Sequence, residues 1–403
     1  MSRLLVIGMG LCALNVFAAR DLKLVTSPAR TKQERNLITS TGVALDEVRS
    51  NSVRFLASPD ELRRLKELGV PITVSSLPQP SRNFPIEDAA FHDYEEVHAE
   101  LEQLAKENPE VAQVITIGKS LEGRELWGIR ISSSKQKDSL PTAIFMGCHH
   151  AREHLSVEIP LKLASHLVTH SRSDARIQEL LANSEVWIVP MVNPDGAEFD
   201  IASKDYQWWR KNRAKNDGES RGVDLNRNYG GKGWGGPGSS GVASSDIYHG
   251  PSAFSEPETL AVRDFVRARK RATVLLTFHT FSELVLWPWG HTDDEIENVE
   301  DRRVFETMGK KMATWNHYTP EKSSDLYLAS GDTTDWAYDE LKIFAFTFEL
   351  SPNSLFAGGF YPGAKAIEPT FQANLEPTLY LIEHAPNPYA VNHSVTDPLG
   401  IIR

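Results

Sequence analysis

Thr142-Ala143-Ile144-Phe145-Met146-Gly147 runs straight into Cys148-His149-His150-Ala151-Arg152-Glu153-His154. The first six residues form an unbroken apolar run of strand length. The seven that follow carry three histidines, an arginine and a carboxylate. Similar runs recur at Glu125–Ile131, Val186–Val192, Thr273–Phe278, Leu284–Trp287 and Ile343–Phe348. Helical patterns separate them at Val157–Thr169, Glu256–Lys270 and Arg302–Thr314. Ahead of them all, Asp93–Glu107 sets Tyr94, Val97, Leu101 and Leu104 on one face. Strands that read as continuous apolar runs are buried on both faces. Their alternation with helices predicts an α/β domain, with a mixed, mostly parallel central sheet and helices on both sides.

Upstream the rhythm differs. Asn51–Ala57 reads as a strand and Ser58-Pro59-Asp60-Glu61 as a helix start. Leu62, Leu65 and Leu68 follow at helical spacing, Gly69 is a stop, and Pro71–Val74 reads as another strand. This is a small α+β unit. The stretch from Ser75 to Arg82 is polar and proline-rich, an exposed linker and a preferred site of proteolysis. At the start, Arg3 and the apolar run Leu4–Phe17, closing near Ala18-Ala19, read as a secretory signal. The chain turns charged at once at Arg20-Asp21, which argues against an anchor. The expected organisation is a signal peptide at 1–19, a small folded unit with its linker at 20–82, and the large domain at 83–403. Secretion, to the medium or the periplasm, is the expected destination.

Composition narrows the class. The 403 residues are 40% hydrophobic and 24% charged, with material for a large core. A formal net charge of -11 disfavours nucleic acid and anionic membrane surfaces as partners. No later stretch is long and apolar enough to span a bilayer. With the signal removed, Cys148 is the sole cysteine, so no internal disulfide is expected. The glycine- and serine-rich residues 230–241 read as a loop; they lack the lysine-serine/threonine ending of a phosphate cradle.

His150 and Glu153 lie three apart, which on a helical turn puts both side chains on one face. Zinc in hydrolases takes three protein ligands and leaves one position open. His279, at the end of the run Thr273–Phe278, is the best third ligand, because α/β proteins build sites at that edge of the sheet. Spacing alone leaves the choice among His149, His150 and His154 open, and a histidine such as His279 is also compatible with a core position. Glu349 ends Phe344-Ala345-Phe346-Thr347-Phe348, a strand too apolar to hold a carboxylate without a partner or a catalytic role.

Together with further motifs these residues resemble the zinc metallocarboxypeptidases of the carboxypeptidase A/B group, the bacterial carboxypeptidase T type above all. The motifs are His-His-Ala-Arg-Glu-His at 149–154, Asn-Pro-Asp-Gly at 193–196, Trp-Arg-Lys-Asn-Arg at 209–213, Asp-Leu-Asn-Arg-Asn at 224–228, Phe-His-Thr-Phe-Ser at 278–282 and Phe-Thr-Phe-Glu-Leu at 346–350. The resemblance runs from about Phe84 to Leu381. It implies one zinc ion on His150, Glu153 and His279, with Glu349 as general base. It implies that Arg210 polarises the scissile carbonyl and holds the oxyanion. Asn226, Arg227 and Tyr327 would clamp the substrate's terminal carboxylate, and Arg152 would be an outer arginine on the substrate's approach. On the residues alone, Arg210, Asn226, Arg227 and Tyr327 read equally as solvated loop positions. The unit at 20–82 resembles, more loosely, the family's inhibitory prosegment, which makes the chain a zymogen in need of an activating protease.

In the same resemblance Thr334 takes the position that is isoleucine in A-type and aspartate in B-type enzymes. Asp332 lies two residues earlier, as in the T type. Apolar and also basic C-terminal residues are the expected substrates. The competing reading of Asp332 is a helix cap. The T type's acidic calcium loop is replaced by Lys135-Gln136-Lys137-Asp138-Ser139-Leu140, where one acid among two lysines counts against calcium. A monomer acting on peptide or protein C-termini is expected. Two alternatives stand beside this. A related zinc hydrolase of cell-wall peptides or amides would not need the Asn226-Arg227-Tyr327 clamp. A catalytically silent binding module would have lost a ligand or the base, and none is lost.

Overall fold

The computed structural model describes residues 22–75, 84, 88–135, 138–202, 206–216 and 220–392. The expected signal at 1–19 and the expected linker beyond Ser75, through Arg82, lie outside these, while Ser75 itself ends a strand rather than opening the linker. The N-terminal unit consists of β1 (Lys23–Pro28), α1 (Lys32–Thr39), β2 (Glu47–Val48), β3 (Ser52–Ala57), α2 (Pro59–Glu67) and β4 (Thr73–Ser75). Its sheet has the order β2-β3-β1-β4, antiparallel throughout. The expected helix start is a capping box: Ser58 accepts from Glu61 N, and the Glu61 side chain accepts from Ser58 N. Val25, Ile38, Val53, Phe55 and Leu65 fill the unit's own core.

The large unit runs α3 (Tyr94–Glu107), β5 (Ala112–Lys119), β6 (Glu125–Ile131), β7 (Thr142–Gly147), α4 (Leu155–His170), α5 (Ala175–Asn183), β8 (Glu185–Val189), α6 (Pro194–Ile201), α7 (Pro257–Ala268), β9 (Ala272–Thr280), β10 (Leu284–Trp287), α8 (Val299–Asn316), β11 (Thr319–Lys322), α9 (Ser323–Leu326), α10 (Thr333–Leu341), β12 (Phe344–Leu350) and α11 (Ile367–His384). Its eight-stranded sheet has the order β11-β10-β12-β9-β7-β8-β6-β5. The central pairs β12–β9, β9–β7 and β7–β8 are parallel, while β5–β6, β6–β8 and β10–β12 are antiparallel.

Successive side chains of each central strand go to opposite layers. Ala143 and Phe145 enter the core shared with α3, α4, α8 and α11, and Ile144 and Met146 enter the one shared with α7 and α10. Both faces are dry, which is why these strands carry no polar alternation. Each fully buried Ile or Phe contributes roughly 1.5–3 kcal/mol. β5 escaped the sequence reading because it is an edge strand with only Ala112 fully buried.

The topology also fixes where a site can form. From β7 the chain crosses by α4 and α5 to β8 on one side. β9, reached through α7 on the other layer, lies on β7's opposite flank. Such a reversal opens a crevice at the carboxyl ends of the two strands.

Candidate metal centre and substrate pocket

β7 ends in Gly147, where any Cβ would sit 1.9 Å from the Ser156 carbonyl oxygen, so only glycine lets the first turn of α4 close on the strand. Cys148 then takes φ 55° and redirects the chain. His150 and Glu153 consequently lie on an isolated turn, closed by Glu153 N donating to His150 O, rather than on a helix. The turn still brings the two side chains together, as the spacing required: His150 Nδ1 is 2.8 Å from Glu153 Oε1. His279 arrives from the end of β9, with Nδ1 3.1 Å from His150 Nδ1 and 3.1 Å from Glu153 Oε2. Among the described residues this is the one His/Cys/Asp/Glu group whose donor atoms all lie within 4.8 Å of one another.

Donors about 2.0–2.1 Å from a tetrahedral zinc stand about 3.4 Å apart, so the cluster fits that ion with small adjustment. The backs of the ligands are also held. His150 Nε2 meets Asp224 Oδ1 at 3.2 Å, His279 Nε2 meets Thr277 Oγ1 at 3.3 Å, and Thr280 N donates to Glu153 Oε2. Burial pushes the Glu153 carboxyl up, but His150 and His279 outweigh it and hold the group well below the usual carboxylate range. Burial lowers His279, keeping it neutral and available as a ligand. His149 and His154 turn elsewhere, to Tyr229 and Asp200.

Strand register places Glu349. β12 and β9 pair in parallel with Glu349 directly opposite His279, so the carboxylate reaches the same end of the sheet as the metal ligands. Burial and the neighbouring Glu153 push its carboxyl well up; Arg210 and Arg227 oppose this, and a cation among the ligands would act in the same direction as the arginines.

Arg210 Nε and Nη2 both donate to Asp224 Oδ2, at 3.0 and 2.9 Å. Asp224 thus braces His150 with one oxygen and Arg210 with the other. Its Oδ1 also accepts from Asn226 N at 3.0 Å, which fixes the turn carrying Asn226 and Arg227. The sequence reading gave Asp224 no role. The signal was an acid opening the motif at 224–228, in a loop that turned out fully buried. Arg227 spends Nε on Gly238 O and Nη1 on Asn226 O. Asn226 Oδ1 accepts from Thr333 N and Oγ1.

His150, Glu153, Arg210, Asn226, Arg227, Tyr327 and Glu349 line one pocket. Leu284, Leu286, Leu326, Ala329, Thr334, Thr347 and Asp332 line the same pocket. Asp332 is both a pocket residue and the N-cap of α10: its Oδ1 accepts from Thr334 N, Thr334 Oγ1 and Asp335 N.

The N-terminal unit supplies part of the pocket wall. Leu45, Asp46 and Val48 line the same pocket. Asp46 Oδ1 meets Arg152 Nη2 at 2.6 Å, and its Oδ2 is fixed by Leu56 N. Arg152 is fully buried, its guanidinium 4.1 Å over the Phe360 ring. Leu22, Leu24 and Leu56 pack on Trp208, Phe281, Leu355 and Phe360, and Tyr327 packs against the core of the small unit. α1 adds Arg35 to the carbonyl of Asp325 and Asn36 to Leu328 N.

Comparison with known proteins gives a consistent result. The sequence profile of the zinc carboxypeptidase family matches residues 97–377. A zinc carboxypeptidase of Saccharothrix mutabilis subsp. capreolus is 33% identical over 303 residues, covering 73% of this chain and 69% of the relative. Carboxypeptidase A2 of Mus musculus is 33% identical over 303 residues, 73% of this chain and 70% of that one. Among solved structures, carboxypeptidase A from Helicoverpa armigera matches with TM-score 0.74 and 26% identity, over 94% of this chain and 99% of its own. Thrombin-activatable fibrinolysis inhibitor matches with TM-score 0.72 and 25% identity, over 90% of this chain and 98% of its own.

Proposed function

The chain belongs to the zinc carboxypeptidase family, and from that premise we propose that it is a secreted exopeptidase, held as a precursor, that hydrolyses the C-terminal peptide bond of peptides and proteins. One observation carries the reading. Three donor side chains lie within reach of one another, a carboxylate is paired opposite one of them on the adjacent strand, and two of the donors, His150 and Glu153, line a single pocket together with that carboxylate, Arg210, Asn226, Arg227 and several apolar side chains.

His150, Glu153 and His279 are the proposed zinc ligands, a two-histidine, one-carboxylate set common in catalytic sites. Zinc bound there supplies a Lewis acid and makes water a competent nucleophile near neutral pH. Glu349 takes a proton from the attacking water and returns it to the leaving amine. Arg210, kept rigid by Asp224, offers its remaining N–H groups where the tetrahedral oxyanion grows, an effect typically worth about 3 kcal/mol. Arg227, with two N–H directions committed to backbone carbonyls, directs the rest of its guanidinium at the substrate's terminal carboxylate, helped by Asn226 and Tyr327. This grip makes the reaction exopeptidic. The terminal side chain enters the same pocket, where Leu284, Leu286 and Thr334 accept apolar groups and Asp332 accepts lysine or arginine.

The unit at 20–82 is the proposed prosegment. Asp46 occupies Arg152, and the Leu22, Leu24 and Leu56 seam covers the approach. Phe84 packs on Phe91, His154 and Tyr206, so the mature chain keeps Phe84 and activating cleavage falls before it.

The deciding experiment compares one peptide with a free and an amidated C-terminus. Release of the terminal residue should fall by roughly 100-fold or more on amidation, because the buried arginine is then left without its partner. Equal hydrolysis of both forms would remove the clamp and favour an amide hydrolase.

A further inference from the structure

The first turn of α10 carries a second carboxylate behind Asp332. Asp335 accepts from Gly290 N at 2.9 and 3.1 Å, from His291 N at 3.0 Å and from His291 Nδ1 at 2.6 Å. Its own N–H donates to Asp332 Oδ1 at 2.9 Å. Asp332 commits that oxygen to the helix cap. Its Oδ2 stands against Gly290, 3.0 Å from where a Cβ would sit there, and among the described residues Asp332 has no ion pair. Two acids therefore share one helical turn, and the histidine is bonded to the one that does not line the pocket. His291 itself does not line the pocket. It lines an outer groove with Lys232, Trp289 and Asp294, and its ring fills the place a side chain at Gly233 would need.

We propose that His291 is a positioning residue for specificity: its charge beside Asp335 sets whether Asp332 presents an anion to the C-terminal side chain, and so how well lysine and arginine are released relative to leucine. The inference rests on the reading of Asp332 as the pocket's anchor for basic groups.

Adjacent carboxylates hinder each other's ionisation. Burial and Asp335 push Asp332 up to about 6. A protonated imidazole on Asp335 offsets that repulsion. Burial lowers His291, but its hydrogen bond to Asp335 and the charges of Asp335, Asp332 and Asp339 outweigh it and raise the ring above its usual value. The groove that holds His291 also carries Asp294, Glu295, Glu297, Asp301, Lys232 and Lys342. Arg227, from the turn after Asp224, favours ionised Asp332. Lys232, from the loop over His291, lies 3.9 Å from Asp339. Lys322, from β11, is bonded to Glu295 in the loop after His291.

The sign follows. Asp332 is neutral below about pH 6 and anionic above it, while lysine and arginine side chains stay cationic throughout. Release of basic residues relative to leucine therefore rises with pH through that region. Without the cation at 291, the uncompensated charge of Asp335 moves the rise to higher pH.

The test uses the zinc-loaded full chain, cut in its linker with both pieces retained. It reads the ratio of kcat/KM for peptides ending in Lys and in Leu from pH 5 to 8.5. In wild type the ratio should rise with a midpoint near 6. His291→Asn should move the midpoint up by roughly one pH unit while leucine release holds. His291→Lys, a permanent cation, should bring it back. Asp332→Asn should flatten the ratio, and adding His291→Asn to it should change nothing more. If the midpoint stays put in His291→Asn while Asp332→Asn flattens the ratio, the inference falls and the pocket reading stands. If wild type releases no lysine at any pH, both fall. Equal loss of lysine and leucine release in both His291 variants would also overturn the inference, leaving His291 a support for its loop.

Discussion

Glu349 and Asp46 are two carboxylates in one pocket, delivered by two different units, and they are held in different ways. Glu349 ends a strand paired on both sides, with His279 opposite it on β9 and Leu284 opposite it on β10. Asp46 lies on a loop before a two-residue strand and is tied by Leu56 N and by Arg152. The large sheet is buried on both faces, whereas the small one has a short, exposed edge in β4. A group that must meet reacting atoms needs placement to a fraction of an ångström, which a packed sheet supplies. A group that only occupies an arginine needs charge and reach. It can ride on a unit joined by an apolar seam and a few polar contacts, and leave with it.

The comparison breaks most completely at the metal ligands. His279→Ala leaves two donors, and the protein should lose its zinc on dialysis and with it all measurable turnover. Chelation of the unaltered protein should do the same, with recovery on adding zinc. Elemental analysis together with a peptide assay reads both; full activity in a metal-free preparation would end the proposal. Next in size, Glu349→Gln should keep zinc and fold but lower kcat by roughly 10²–10⁴-fold, since an amide cannot take a proton from water. Retention of most of kcat would mean that another group is the base. The smallest effect belongs to the proposed prosegment. In the uncut precursor, Asp46→Asn should raise activity on a small peptide roughly 10- to 100-fold, by losing a charge-assisted hydrogen bond worth about 1.5–3 kcal/mol. The cleaved form should be unaffected. If the uncut and cleaved proteins are equally active to begin with, the N-terminal unit is no inhibitor.

Much of this was legible in the chain. The apolar runs at Glu125–Ile131, Thr142–Gly147 and Leu284–Trp287 are strands with those bounds, because burial on both faces keeps them mostly apolar, with Arg130 in the first buried against Glu185. The cap at Ser58 and the stop at Gly69, with φ 69°, are local chemistry and were read as such. β1, β5 and α11 were not anticipated. The first two have mixed burial patterns, and α11 carries Pro377 inside it, a residue that reads as a helix boundary but here sits in a helix held by packing on α4 and α8.

The site divides the same way. Residue types and spacing pointed to Glu153, His279 and Glu349 and left His150 as one of three candidates beside His149 and His154, because a metal needs such donors and an apolar strand needs a reason to carry a carboxylate. Which of three neighbouring histidines turns inward was decided by the backbone at Cys148 and by the partners Tyr229 and Asp200. That Asp224 braces His150, Arg210 and Asn226 at once, that Asp332 both caps a helix and faces the pocket, and that Asp46 reaches Arg152 across 106 positions are facts of the folded chain alone. Local chemistry is written in neighbours along the sequence. A buried charge takes its partners from whatever the topology brings beside it, and strand order and register, rather than sequence distance, determine which groups those are.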